Sequence, residues 1–108
     1  MNTKKYFDLI EEDYIREISL LSKKDYIEEA FKLAYLILFF HSCSEDRDGR
    51  KLLLGDLFIS LLNRHLLPLD RGLLKKITDR LVLCYSKEII CRKYDYKKEL
   101  LELLKEVS

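Results

Sequence analysis

The chain has 108 residues, of which 48% are hydrophobic and 36% charged, and its formal net charge is +1. This length favours one domain, residues 1–108, and the balanced charge gives no electrostatic reason to expect nucleic acid or an anionic membrane surface as a partner. Three Gly and one Pro are too few for the regular turns of a β-sandwich. We therefore predict a globular all-α protein.

The first two predicted helices are joined by a short polar segment. Ser22 and Asp25 have the spacing of a capping box, which predicts that the second helix begins there. From Leu33 to Phe40 that helix contains no charged residue, so we expect its last two turns to be buried on every side. The first helix is predicted over 4–21, because apolar residues recur in it at three- and four-residue steps: Phe7, Ile10, Tyr14, Ile18 and Leu21.

Two or three further helices follow a polar segment at residues 41–50. The third is predicted over 51–67 and is ended by Pro68. Asp70 is the predicted cap of a fourth helix that extends to about Arg92, and a fifth is predicted over 96–107. Because no Gly or Pro separates the last two, they are either two helices or one continuous rod. The predicted fold is a compact bundle of four to five helices.

The second and third predicted helices are apolar on nearly all sides. A domain of this size buries only about two thirds of the surface that its unfolded chain exposes, so we expect part of this apolar surface to bind a partner. The alternative is that the other helices wrap the pair completely. The predicted partner-interface residues are Leu36, Phe39, Phe40, Leu54, Leu57, Phe58, Leu61 and Leu62.

Two groups of side chains could supply metal ligands. Glu45, Asp46 and Asp48 supply hard oxygen ligands for a divalent cation, but neighbouring arginines neutralise them. The soft ligands His41, Cys43, His65, Cys84 and Cys91 lack the short loop spacings of structural zinc sites. We therefore predict no metal, no cofactor and no catalytic residue in this chain, and buried thiols at Cys84 and Cys91.

The location is predicted from the cysteines and from the apolar runs. An odd number of cysteines without a CxxC motif, behind a charged N-terminal segment, indicates a cytoplasmic protein. The longest apolar run, Leu33 to Phe40, is far shorter than the ~20 residues of a membrane span. We expect no membrane span.

Four short segments, taken in order, resemble the trans-polyprenyl diphosphate synthases. They are a helix end at Phe40-His41, the segment Leu53-Leu54-Gly55-Asp56-Leu57-Phe58, the segment Ile77-Thr-Asp-Arg-Leu81, and Ser86-Lys87-Glu88-Ile89-Ile90. The chain is most similar to the short, non-catalytic subunit of the heterodimeric hexaprenyl and heptaprenyl enzymes. The resemblance implies a truncated version of the synthase fold.

The same resemblance implies a division of labour between two subunits. Catalytic members carry two aspartate-rich motifs that hold magnesium, whereas Glu45-Asp46-Arg47-Asp48 is at best a shortened remnant of the first. Magnesium is therefore expected on a catalytic prenyl synthase partner, and this chain is expected to support that partner and help set product chain length. Two other hypotheses remain: a self-associating helical adaptor, which forms a homodimer, and a metal-dependent enzyme built on the acidic loop.

Overall fold

The computed structural model describes residues 3–41, 50–90 and 95–107. A 3₁₀ helix, Thr3–Leu9, is followed by α1 (Glu12–Leu21), α2 (Asp25–His41), α3 (Arg50–Leu66), α4 (Arg71–Ile90) and α5 (Tyr96–Val107). Every regular element within these ranges is helical. The prediction of an all-α bundle of four to five helices is confirmed.

Helix α2 lies at the centre of the bundle and packs against each of the other described helices. Its residues 33–38 and Phe40 are buried, as the missing charges predict, whereas Phe39 is only half-buried. The ring of Phe40 stacks parallel to that of Phe58 in α3 with centroids 5.7 Å apart, and Tyr6 meets both rings edge-on. Although α2 is strongly apolar, none of the described helices is both long enough and apolar enough to cross a membrane.

The helix predicted over 4–21 is interrupted. The amide of Ile10 donates to the carbonyl of Phe7 at 3.1 Å, and Glu11 then adopts an extended backbone with φ −61° and ψ 138° before α1 begins. Ile10 is buried at this bend. Neither Gly nor Pro marks the break, so the periodicity alone predicted one helix where there are two.

The predicted capping box at Ser22 is wrong. The amide of Ser22 donates to the carbonyl of Ile18 at 2.9 Å and so closes α1. Its hydroxyl oxygen is buried and has no hydrogen-bond partner within the described ranges. Helix α2 begins three residues later at Asp25, and the carbonyl of Lys24 accepts the amide of Glu28 at 3.3 Å.

The predicted boundary between the third and fourth helices is confirmed to within one residue. The Asp70 carboxylate accepts the amide of Leu73 at 3.0 Å and thereby caps α4. Its own amide donates to the carbonyl of Leu66 at 2.7 Å. Pro68 lies in the intervening turn, which it favours because it has no amide hydrogen to continue α3.

Helices α4 and α5 are two elements that pack side by side. Arg80 in α4 lies 3.0 Å from the carboxylate of Glu99 and 3.3 Å from that of Glu106, both in α5. In one continuous rod, Arg80 and Glu99 would be about 28 Å apart at 1.5 Å per residue. Helices α4 and α5 are therefore not one continuous rod, which decides the alternative that the sequence left open.

Candidate functional site

The eight predicted interface residues fall into two groups. Leu36, Phe40, Phe58 and Leu62 are at most 5% exposed and belong to the chain's own core, so a partner would reach them only if the fold opened. The interface itself stays a prediction. The members that a partner can touch in this fold are half-buried at the surface: Phe39, Leu54, Leu57 and Leu61.

Helix α3 keeps one face towards solvent, and we call Leu53, Leu57, Ser60, Arg64 and Leu67 the outer face of α3. Side chains three and four residues apart lie on the same side of a helix, which places these five along one stripe. Leu53 is 69% exposed and Leu67, directly after the helix, 51%. Of α2 and α3, the two helices on which the interface is predicted, it is therefore α3 that leaves apolar side chains uncovered. Exposed apolar side chains also lie on α1 (Leu20) and on α4 (Val82 and Leu83).

Leu53 and Leu67 are absent from the predicted interface, although both are exposed. The signal was present in the sequence, because the outer face of α3 has the regular four-three-four-three spacing of a helical stripe. It was obscured by the surrounding leucines at positions 52, 54, 61, 62 and 66. Which side of a helix that is apolar all round meets solvent depends on where the other helices pack.

A polar junction joins the ends of α2 and α4 to the beginning of α3. The Nδ1 atom of His41 lies 2.7 Å from the hydroxyl of Tyr85, and its Nε2 lies 3.2 Å from a carboxylate oxygen of Asp56. This Nε2 is close to the Asp56 carboxylate but makes no aligned hydrogen bond to any described residue. When Nε2 carries the proton, Nδ1 accepts a hydrogen bond from the Tyr85 hydroxyl.

Gly55 makes this junction possible. A Cβ atom at residue 55 would overlap the Cδ2 and Nε2 atoms of His41, so the imidazole ring lies directly against the backbone of α3. The structure thereby brings together two segments that the sequence singled out, Phe40-His41 and Gly55-Asp56. Their proximity could not be read from the spacing, because the connecting residues 42–49 have no regular pattern.

A second polar group fastens the start of α2 to the end of α3. His65 Nε2 is 2.9 Å from the carbonyl oxygen of Tyr26, and because a carbonyl only accepts, this nitrogen carries the proton. His65 Nδ1 faces the carboxylate of Glu29 at 3.7 Å. The hydroxyl of Tyr26 donates to Asp70 at 3.3 Å. These contacts place His65, whose side chain is 19% exposed, among polar groups of the fold itself.

A surface cleft of about 380 Å³ lies between α1 and α5. Carboxylates and ammonium groups alternate around it, so it presents no excess of positive charge that would attract a polyanion. At its edge Lys97 pairs with Glu11, and that hydrogen bond raises the pKa of Lys97. The charged lining residues are Asp13, Glu17, Asp95, Lys97, Lys98, Glu102 and Lys105.

Tyr14 lines this cleft, and its ring contacts that of Tyr35 in α2, which in turn contacts Tyr96 in α5. The hydroxyl of Tyr14 donates to the carbonyl of Phe31 at 2.8 Å, and burial raises the pKa of Tyr14 well above its ordinary value. Burial, followed by the nearby Glu11 carboxylate, also raises the pKa of Tyr35. Both phenols are neutral at physiological pH, and Tyr14 acts as a hydrogen-bond donor that holds α1 on α2.

Several of the residues that the sequence suggests as metal ligands or thiols lie outside the described ranges. Glu45, Asp46 and Asp48, together with Cys43 and Cys91, belong to segments that are not described. Cys84 is 1% exposed, in keeping with the prediction of a core thiol. In the parts of the chain that are described, no three His, Cys, Asp or Glu side chains come together as a metal site.

The chain matches no protein-family model, no curated protein and no solved structure. The features that bear on its function therefore come from this chain and not from a relative. They are the outer face of α3, the half-buried Leu54 and Leu61 beside it, and the polar junction around His41.

Proposed function

We propose that this chain is a non-catalytic subunit that binds a catalytic trans-polyprenyl diphosphate synthase subunit through α3. The observation that carries the proposal is the exposure of apolar side chains on this helix, above all Leu53 at 69%. The same helix contains the segment Leu53 to Phe58, one of the four segments on which the resemblance to these synthases rests. The apolar surface and the resemblance thus point to one element.

The energetics of the surface favour a protein partner. Fully burying a leucine side chain contributes roughly 1.5–3 kcal/mol, and Leu53, Leu57 and Leu67 are at least partly accessible on the outer face of α3. Leu54 and Leu61 extend the apolar surface on the flank of the helix. A partner that covers both the outer face and this flank gains more than one that covers either alone.

The junction at His41 also supports the proposal. Phe40-His41 and Gly55-Asp56 are separate elements of the resemblance, and they lie in direct contact. In this position the end of α2 and the beginning of α3 are held together, which gives a partner a fixed surface to bind.

The roles assigned to the two subunits follow from the resemblance. The partner holds magnesium and carries out prenyl transfer in the cytoplasm. This chain supports the partner and contributes to the wall that limits the length of the prenyl product. The self-associating adaptor remains the second candidate function. The arrangement of side chains on α3 favours it independently.

The test is co-expression with catalytic subunits of long-chain prenyl synthases, followed by native mass spectrometry and an assay of isopentenyl diphosphate incorporation. We expect a mixed complex whose activity neither chain shows alone. Leu57→Asp should abolish both the complex and the activity, because an unpaired carboxylate in an apolar interface costs several kcal/mol. Failure of every catalytic subunit to form a complex would overturn the proposal.

The choice of variant matters for this test. Phe58 is fully buried, so an aspartate there would unfold the chain and could not report on the interface. Leu20→Asp is the matched control, because Leu20 is 76% exposed on α1, away from the proposed surface. It should leave assembly and activity unchanged.

A further inference from the structure

The outer face of α3 presents a similar order of side chains from either end. Ser60 lies at its centre, and Leu53 and Leu67 lie seven residues before and after it. Arg64 on this face and Asp56 beside it carry opposite charges and lie four residues after and before Ser60; Asp56 also lies 3.2 Å from Nε2 of His41. All five side chains are exposed. The face is therefore close to self-complementary under a twofold rotation.

We propose that two copies of this chain pair through α3, antiparallel, with the twofold axis beside Ser60. A twofold interface brings residue i of one copy to residue j of the other and repeats the contact in reverse. Here Asp56 of each copy lies towards Arg64 of the other, and Leu53 lies towards Leu67 of the other. The small side chain of Ser60 at the axis allows the helices to approach closely.

The charges select both the partner and its direction. A parallel arrangement would place Asp56 beside Asp56 and Arg64 beside Arg64, and like charges across an interface are unfavourable. The antiparallel arrangement makes two opposite-charge pairs instead. A foreign helix that is uniformly acidic or basic would repel one of the two charged groups. A second copy satisfies both, which is why we assign this face to self-association.

The size of the outer face of α3 limits the expected affinity of the dimer. The contact runs from Leu53 to Leu67, so it is about 21 Å long at 1.5 Å per residue. One helix face on each side is smaller than the ~800 Å² per partner of a standard stable complex. We therefore expect a reversible dimer with a dissociation constant on the order of tens of micromolar.

Self-pairing does not require the synthase partner proposed above. It uses Leu57 in common with that interface, so a catalytic subunit and a second copy would exclude one another on α3. The chain is tested alone, and the result is independent of whether any mixed complex forms.

The experiment is sedimentation equilibrium of the isolated chain from about 5 µM to about 1 mM, a range that brackets the expected constant. The wild type should change from monomer to dimer across this range. Arg64→Glu should weaken dimerisation at least tenfold, because each Asp56 then faces a carboxylate. The charge-swapped pair Asp56→Arg with Arg64→Glu should restore dimerisation to within about threefold of the wild type.

Two controls separate the interface from the fold. Arg71→Glu changes the same charge at an exposed site on α4 and should leave dimerisation unchanged. Leu53→Ser should weaken the dimer, whereas Leu20→Ser on α1 should not, and circular dichroism on each variant reports that it is folded. A monomer throughout the range, a dimer indifferent to Arg64→Glu, or a charge-swapped pair as weak as the single variant would overturn the proposal.

Discussion

The imidazole ring of His41 lies where the side chain of residue 55 would be, so these two residues fit together only because Gly55 has no Cβ atom. The ring is fixed on its other side by the Tyr85 hydroxyl. It has little room to move away, because its side chain is only 13% exposed.

Gly55→Ala should therefore destabilise the fold although alanine is the better helix former. We expect a loss of about 1–3 kcal/mol in the free energy of unfolding by urea, as for other overpacked sites. Combining it with His41→Ala should give a smaller loss than the sum of the two single losses, because the clash is then removed. Additive losses would show that His41 is not the group with which an alanine side chain at residue 55 clashes.

Gly72→Ala is the matched control for that substitution. A Cβ atom at residue 72 would lie 3.6 Å from the Asp70 carboxylate, an ordinary contact. Because residue 72 is exposed in the first turn of α4, the change should be neutral or stabilise by up to about 1 kcal/mol.

Ser22 and Asp70, two residues that the sequence marks as helix caps, should respond to alanine in different ways. Asp70→Ala removes the acceptor for the Leu73 amide and should cost about 0.5–2 kcal/mol in unfolding free energy. Ser22→Ala removes a buried hydroxyl that makes no hydrogen bond within the described ranges, so it should be neutral or slightly stabilising. A substantial loss at Ser22 would contradict the structure at the α1–α2 connection.

The contacts of Arg80 across α4 and α5 should be unequal in strength. Arg80 and Glu99 have side chains 19% and 15% exposed, whereas that of Glu106 is 62% exposed. Exposed ion pairs contribute little, so Glu106→Gln should change the unfolding free energy by less than about 0.5 kcal/mol. Arg80→Met removes the hydrogen bond and the ion pair that Arg80 makes with the partly buried Glu99 carboxylate, and should cost about 1–2 kcal/mol. Equal losses in chemical denaturation would argue against this difference in burial.

Stability should fall in alkaline solution because of the buried tyrosines. Burial raises the pKa of Tyr14 in the folded state, so the unfolded chain loses this proton first. The resulting stabilisation is fully present below the ordinary tyrosine pKa of about 10 and is lost as pH rises from there towards the folded-state value. Urea titrations between about pH 8 and pH 11 should show this decline.

Tyr14→Phe tests the assignment of that decline. It should reduce the steepness of the loss above about pH 10, and at neutral pH it should cost about 0.5–1.5 kcal/mol through the missing bond to the Phe31 carbonyl. An unchanged alkaline slope would assign the effect to other groups, with Tyr35 as the next candidate.

The parts of the fold that were predictable are those with a local cause. Pro68 and Asp70 fix the boundary between α3 and α4 through one missing amide and one capping carboxylate. The uncharged stretch of α2 predicts a helix buried on every side. Each of these signals lies within a few residues of the feature that it determines.

The parts that were missed have distant causes. The bend at Ile10 has no Gly or Pro, and the separation of α4 from α5 is visible only through the pairing of Arg80 with Glu99. At the site, the buried Phe58 and the exposed Leu53 look alike in the sequence. What separates them is the packing of α2 and of Tyr6 in the 3₁₀ helix against one side of α3, and in the sequence the surrounding leucines obscure that choice.

The central position of α2 has a consequence for how the chain acquires its structure during synthesis. Tyr35 contacts the ring of Tyr96 in α5 with centroids 5.5 Å apart, and Leu100 and Leu104 complete the same core. On the ribosome, α2 emerges before α3, α4 and α5, so the part of its apolar surface that α5 covers stays accessible until α5 has been made. The protection of α2 amides from hydrogen exchange should accordingly appear late and in a single step.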